Sequence, residues 1–206
     1  MARRHLHIML MSLFLTHSTQ AQPEHQLELA IQPASKLWLE GTSTMHEYTA
    51  KTTLIRGSAV VDSIAYAEGK GGQSTFLRNV EITIPVNTLS SGDEKLDENM
   101  YDALKGDDHE SITYRMSNAS VVYAVGDSAT LTTVGTLSVG GKEKEVEMTV
   151  TLLKHEDGVL RIKGYTDLLM TDFDIDPPTF MFVLTTDNKV KISFDLLLQS
   201  QTEVHK

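Results

Sequence analysis

SGDEKLDENMYDALK, residues 91–105, has a helical period in a chain whose other apolar segments repeat every second residue. Ser91 followed three residues later by Glu94 has the form of a capping box, in which each side chain satisfies a free backbone N–H at a helix start. Asp93, Glu94 and Asp97 fall in the first turns, where the helix dipole favours negative charge, and Lys105 lies at the opposite end. Leu96, Met100 and Leu104 are spaced i, i+4, i+8 with Ala103 beside them, which gives one narrow apolar stripe. Gly106 then offers a stop. The spacing predicts one short helix, shaped as a lid or plug, inserted into an all-β chain.

On either side the alternation is that of half-buried strands. Before the helix, Leu27, Leu29 and Ile31 alternate, as do Leu37 and Leu39 with Lys36, Trp38 and Glu40; Tyr48 to Ile55 continues as strand. Val80, Ile82, Ile84 and Val86 form another, with Pro85 marking its edge or end because proline donates nothing to a ladder. Glu68 to Gln73 is polar and glycine-rich and reads as a loop. After the helix come Ile112, Tyr114 and Met116, then Leu131 to Val139, Val146 to Leu152, Leu160 to Tyr165 and Val190 to Leu198. Gly140-Gly141 and Asp157-Gly158 supply tight turns, so the neighbours are antiparallel. Strands with one apolar face suit a closed barrel or a two-sheet sandwich, and periodicity alone does not choose. Methionine-rich, aromatic-poor apolar faces and a single helix able to close one end favour the barrel.

The segment before the strands reads differently. Arg3 and Arg4 precede a short apolar core, Ile8 to Leu15, and then Thr19, Gln20 and Ala21, which is the pattern of a signal peptide cleaved after Ala21. The apolar run is far short of the about 20 residues that a membrane span needs. The expected product is a periplasmic or secreted protein, and residues 22–206 suit one β domain. The chain has no cysteine, so stability must come from packing and no thiol is available for a lipid anchor. A net charge of −10 with no run of basic residues argues against nucleic acid as a partner, and against a stable membrane anchor.

Four strings, LWLEGTSTMHEYTA (37–50), LSSGDEKLDENMYDALKGDDHESITY (89–114), GTLSVGGKEKEVEMTV (135–150) and GYTDLLMTDFDIDPPTFMF (164–182), together resemble the YceI-like family. The resemblance implies an extended, lipocalin-like antiparallel barrel, exported from a bacterial cell, whose elongated hydrophobic cavity holds a polyisoprenoid or similar long amphiphile. It implies a lipid as ligand, no other cofactor and no catalysis, and it leaves room for a homodimer. Family members often carry Asp-Trp where this chain has Glu47-Tyr48, and glycine where it has Asp174.

On this reading the cavity is lined by Leu137, Met148 and Ile192 from strands and by Met100 and Leu104 from the helix. Trp38, Met45, Phe173 and Phe180 stand near its ends, and His46 is placed to donate a hydrogen bond to a headgroup. Ordinary core packing is the competing role for each apolar residue, and a structural hydrogen bond for His46. A metal site is not expected. Adjacent strand residues such as His46 and Glu47 point to opposite faces, and Asp172, Asp174 and Asp176 open like a calcium loop but meet Pro177 and Val183 where glycine and glutamate are required. Asp107 to Glu110 reads as a solvated acidic turn. No nucleophile elbow, zinc-helix pair or phosphate loop is present to support an enzyme. A sandwich with a solid core and a protein partner, and an exported hydrolase or isomerase of a small amphiphile, are the alternatives.

Overall fold

The structure, a computed structural model, describes residues 25–44, 46–68, 76–155, 157–180 and 184–200. The expected signal peptide, Met45 and nearly all of the glycine-rich loop lie outside the described residues. Among the described residues eleven strands follow in order: β1 Gln26–Ile31, β2 Lys36–Ser43, β3 Glu47–Thr52, β4 Arg56–Asp62, β5 Leu77–Pro85, β6 Ser111–Val125, β7 Ser128–Val139, β8 Lys142–Lys154, β9 Leu160–Leu169, β10 Thr179–Phe180 and β11 Leu184–Ser200. Helix α1, Ser63–Glu68, lies between β4 and β5, and α2, Glu94–Ala103, between β5 and β6.

Eight of the strands form a closed antiparallel circuit, β1–β4–β5–β6–β7–β8–β9–β11, and β1 pairs back to β11 through Leu29 with Ser200 and Ile31 with Leu198. A circuit of eight strands that pairs back on itself is a barrel, so the sandwich is excluded. The long β11 makes this possible. One of its edges runs along β9, and the other is shared end to end by β1 and β2. The break between them is fixed by Ser35, fully buried, whose Oγ accepts from Leu197 N at 2.9 Å and donates to Leu197 O at 3.3 Å.

The barrel therefore has two unlike halves. Where β1 and β4 complete the wall it is solid: Leu29, Val61, Leu131, Leu152, Leu160 and Leu198 are almost wholly buried together. Helix α1, which the sequence reading did not single out, closes this end. Asp62 Oδ1 accepts from Ala65 N (3.0 Å), and Tyr66 packs edge-on against Phe76 (5.4 Å) while its hydroxyl donates to Gly158 O (2.9 Å). In the other half β2 and β3 take the place of β1 and β4, but β3 does not pair with β5. The opening is bridged by Lys51 and Ser90, which exchange two backbone hydrogen bonds of 2.9 Å, and by α2.

The ends of α2 differ from the expected capping box. Asp93 is the cap, accepting from Leu96 N at 2.9 Å. Ser91 instead donates to Asp97 through its Oγ (2.6 Å) and its N–H (2.7 Å), because Asp97 projects from the first turn back over the approach loop. At the other end the left-handed residue is Lys105 (φ 54°) and not Gly106. Lys105 N donates to Asp102 O and Gly106 N to Tyr101 O, the paired bonds of a Schellman motif.

A candidate ligand cavity

The inward residues of the hollow half enclose a cavity of about 230 Å³. Its wall comes from β2, β3, β5 to β9, β11 and α2, and β1 and β4 contribute nothing to it. Helix α2 presents Leu96, Met100, Ala103 and Leu104 to the cavity, so the predicted apolar stripe does face inward; none of the four is fully buried, as befits a plug over a void. The floor is the top of the solid half, where Met116, Val150, Ile162 and Leu196 belong to both. At the other end Val139, Phe173 and Ile175 form a second small cluster with Leu104, Leu137, Val146 and Met170. The lining is almost wholly carbon.

Three glycines give the lumen its bore. Gly41, Gly135 and Gly164 occupy inward strand positions, and across each lies an aromatic ring that also lines the cavity: Tyr48, Tyr114 and Phe194 respectively. A Cβ at Gly135 would stand 2.6 Å from the Tyr114 ring, and one at Gly164 would stand 2.7 Å from Phe194 Cζ. The missing side chains let the rings lie against the wall, where they would otherwise project across the lumen.

The polar atoms on the lining residues are few. Thr133 donates to Met148 O at 3.3 Å. Among the described residues the Tyr114 hydroxyl is the one buried side-chain polar atom that forms no hydrogen bond. Burial pushes its pKa up, and nearby Thr133 tempers the rise without making a well-formed bond. Tyr48 is also raised, by burial first and then by Asp187. Near the α2 end, burial would raise Asp97, but the bonds from Ser91 and Ser90 outweigh it and hold the carboxyl below its ordinary range.

Of the residues proposed from sequence, Met100, Leu104, Leu137, Met148, Phe173 and Ile192 are brought together around the cavity. Trp38 is not. Leu37 and Leu39 point inward, so the intervening Trp38 points out, beneath the Lys36 ammonium 5.8 Å from its ring. His46 lies exposed in the turn between β2 and β3, its carbonyl accepting from Ser43 N (3.0 Å) and Oγ (2.8 Å), away from the lining. Met45 and the side chain of Phe180 lie outside the described residues. Asp172 and Asp174 reach lysines, Lys144 at 3.3 Å and Lys142 at 2.8 Å, and Asp107 to Glu110 are exposed. Sequence reading missed Tyr48, Phe194 and the roles of the three glycines, since a ring laid over a glycine is a cross-strand relation that only register reveals.

A family model described as a YceI-like domain matches residues 30–198, most of the chain. The chain belongs to the YceI-like family. Solved structures agree on the fold. This YceI-like chain is similar to Burkholderia cenocepacia BcnA, with a TM-score of 0.65 at 15% identity over 81% of this chain and 98% of that one. It is also similar to a polyisoprenoid binding domain from Saccharophagus degradans implicated in plant cell wall breakdown (TM-score 0.63, 12% identity, 85% and 99% covered). The Campylobacter jejuni YCEI protein follows at TM-score 0.53 and 12% identity, over 72% of this chain and 82% of that one. No curated protein sequence matches this chain.

Proposed function

We propose that this YceI-like protein is an exported carrier that holds the hydrocarbon part of a polyisoprenoid, or of a similar long amphiphile, within its barrel. The observation that supports this most directly is a closed barrel whose one hollow half is walled by carbon and plugged by an apolar helix face. A cavity of 150 Å³ takes up benzene, so about 230 Å³ accommodates on the order of ten carbon atoms, or two five-carbon units. At about 0.8 kcal/mol per buried methylene that is roughly 8 kcal/mol before ordering losses, enough for reversible uptake. The proposed activity requires no chemical step, and the polyisoprenoid-binding domain among its structural neighbours is consistent with it.

Native mass spectrometry of protein recovered from the periplasm or medium without detergent tests this reading, followed by organic extraction. The expected result is a chain beginning at Gln22 that carries one polyprenyl-type adduct. A clean apo mass with no uptake of added prenyl alcohols would overturn the carrier reading, and an uncleaved chain inside the cell would overturn export.

A further inference from the structure

The chain is acidic and has no basic run, yet strand register assembles a cationic face on the outside of the barrel wall. Three outward rows cross β2, β11 and β9: Lys36–Asp195–Lys163, Trp38–Ser193–Tyr165 and Glu40–Lys191–Asp167, and Lys51 on β3 pairs beside Trp38. Arg161 and Lys163 reach Asp195, the one buried carboxylate among the described residues (2.6 and 3.6 Å), and Lys189 reaches Asp167 (2.8 Å). None of the ion pairs among the described residues uses Lys36, Lys51 or Lys191. Two of these three lie over aromatic rings, Lys36 at 5.8 Å from the Trp38 centroid and Lys191 at 5.1 Å from that of Tyr165, and Tyr165 is 60% exposed.

We infer that this face of β2, β11 and β9, where Lys36, Lys51 and Lys191 form no ion pair and are set around Trp38 and Tyr165, docks transiently on an anionic lipid headgroup layer. Tryptophan and tyrosine rings with lysine stems beside them are amphipathic at the length scale of a headgroup region, where the ring and stem bury and the ammonium meets phosphate. Nucleic acid and acidic peptides share the charge requirement but not that depth gradient. The overall charge of −10 does not forbid the contact: at physiological salt exposed charges are screened over about 8 Å, so the acids on the far side of the barrel are largely hidden from a surface touching this one. The inference rests on the carrier reading to the extent that a lipid carrier must meet a membrane to exchange cargo. The same strands form the cavity wall on their inner side.

Trp38 is the only tryptophan in the chain and reports on its own face. The experiment adds vesicles of phosphatidylcholine, with or without phosphatidylglycerol, to the exported protein. It follows Trp38 emission, quenching by brominated lipid, and co-sedimentation. Expected are a blue shift and sedimentation with the anionic vesicles alone, reversed by salt. The affinity should drop about fivefold per lysine removed, on the order of a hundredfold for K36Q/K51Q/K191Q. An unchanged triple variant, equal binding to neutral vesicles, or no partition at low salt would overturn the proposal. So would a Trp38 response to a single-stranded oligonucleotide or an acidic peptide but not to vesicles. Prenyl-alcohol uptake is measured separately on the same samples: uptake without vesicle binding defeats the docking surface alone, and vesicle binding without uptake defeats the carrier reading alone.

Discussion

Gly164 and Gly135 show how much a single absent side chain decides in this barrel. A Cβ at Gly164 would fall 2.7 Å from Phe194 Cζ, so alanine there pushes the ring toward the lumen, and one at Gly135 would fall 2.6 Å from both the Tyr114 ring and the Arg115 carbonyl oxygen, so alanine there strains the strand pairing as well. Gly164→Ala is expected to cost about 1–3 kcal/mol of stability and to weaken prenyl-alcohol binding about tenfold, read by urea unfolding and calorimetric titration; adding Phe194→Leu should recover part of the binding. Tyr114→Phe is expected to act in the opposite sense on stability. Removing a buried hydroxyl that forms no hydrogen bond should raise the unfolding free energy of the empty protein by about 1 kcal/mol, and an equal loss would show that Thr133 satisfies it. Asp195 gives a pH dependence. Its carboxyl is held below the ordinary range by hydrogen bonds from Arg161, opposed by burial, so its contribution is present above about pH 4 and is lost as pH falls through the lowered value. Asp195→Asn should cost about 1–2 kcal/mol at neutral pH, less than a fully buried pair because Arg161 keeps 35% exposure, and should flatten the acid limb of a stability–pH curve.

Among the elements, α2 was the most legible in sequence because its signal is local: seven apolar and acidic positions at helical spacing, all within fifteen residues. What its sequence left ambiguous was the cap, since Ser91 and Asp93 both qualify and the choice fell to Asp97, which occupies Ser91 in the folded chain. Similarly, Gly106 reads as the stop, but the left-handed position is Lys105, and Gly106 is wanted for space instead, with Val86 Cγ1 3.1 Å from where its Cβ would be. Lys105→Gly is therefore expected to stabilise the protein by up to about 1 kcal/mol, measured as a shift in urea midpoint, whereas Gly106→Ala should destabilise it. The assignment of Trp38 to the cavity shows where local reading fails if parity is not carried through: Leu37 and Leu39 already exclude it from the inner face.

At the scale of the molecule, the two halves of the barrel divide stability from capacity. The solid half holds Leu29, Leu131, Leu152, Leu160 and Leu198 at full burial, and the hollow half is roofed by a ten-residue helix that buries no side chain completely. Prenyl-alcohol affinity is thus expected to rise steeply through about two five-carbon units and then flatten, because further carbons must pass α2 or remain outside. A titration series of increasing chain length checks this; a slope that continues unbroken would mean that α2 gives way. Strand alternation, turns and the one amphipathic helix were readable directly from residue order, because each depends on neighbours within a few positions, and four family strings carried the fold class with them. Closure of β1 on β11, the split of β3 from β5 that leaves a void, the rings over glycines and the lysines gathered around Trp38 were not readable. Each depends on pairing between residues up to 171 positions apart, and that register is set only when the whole sheet packs.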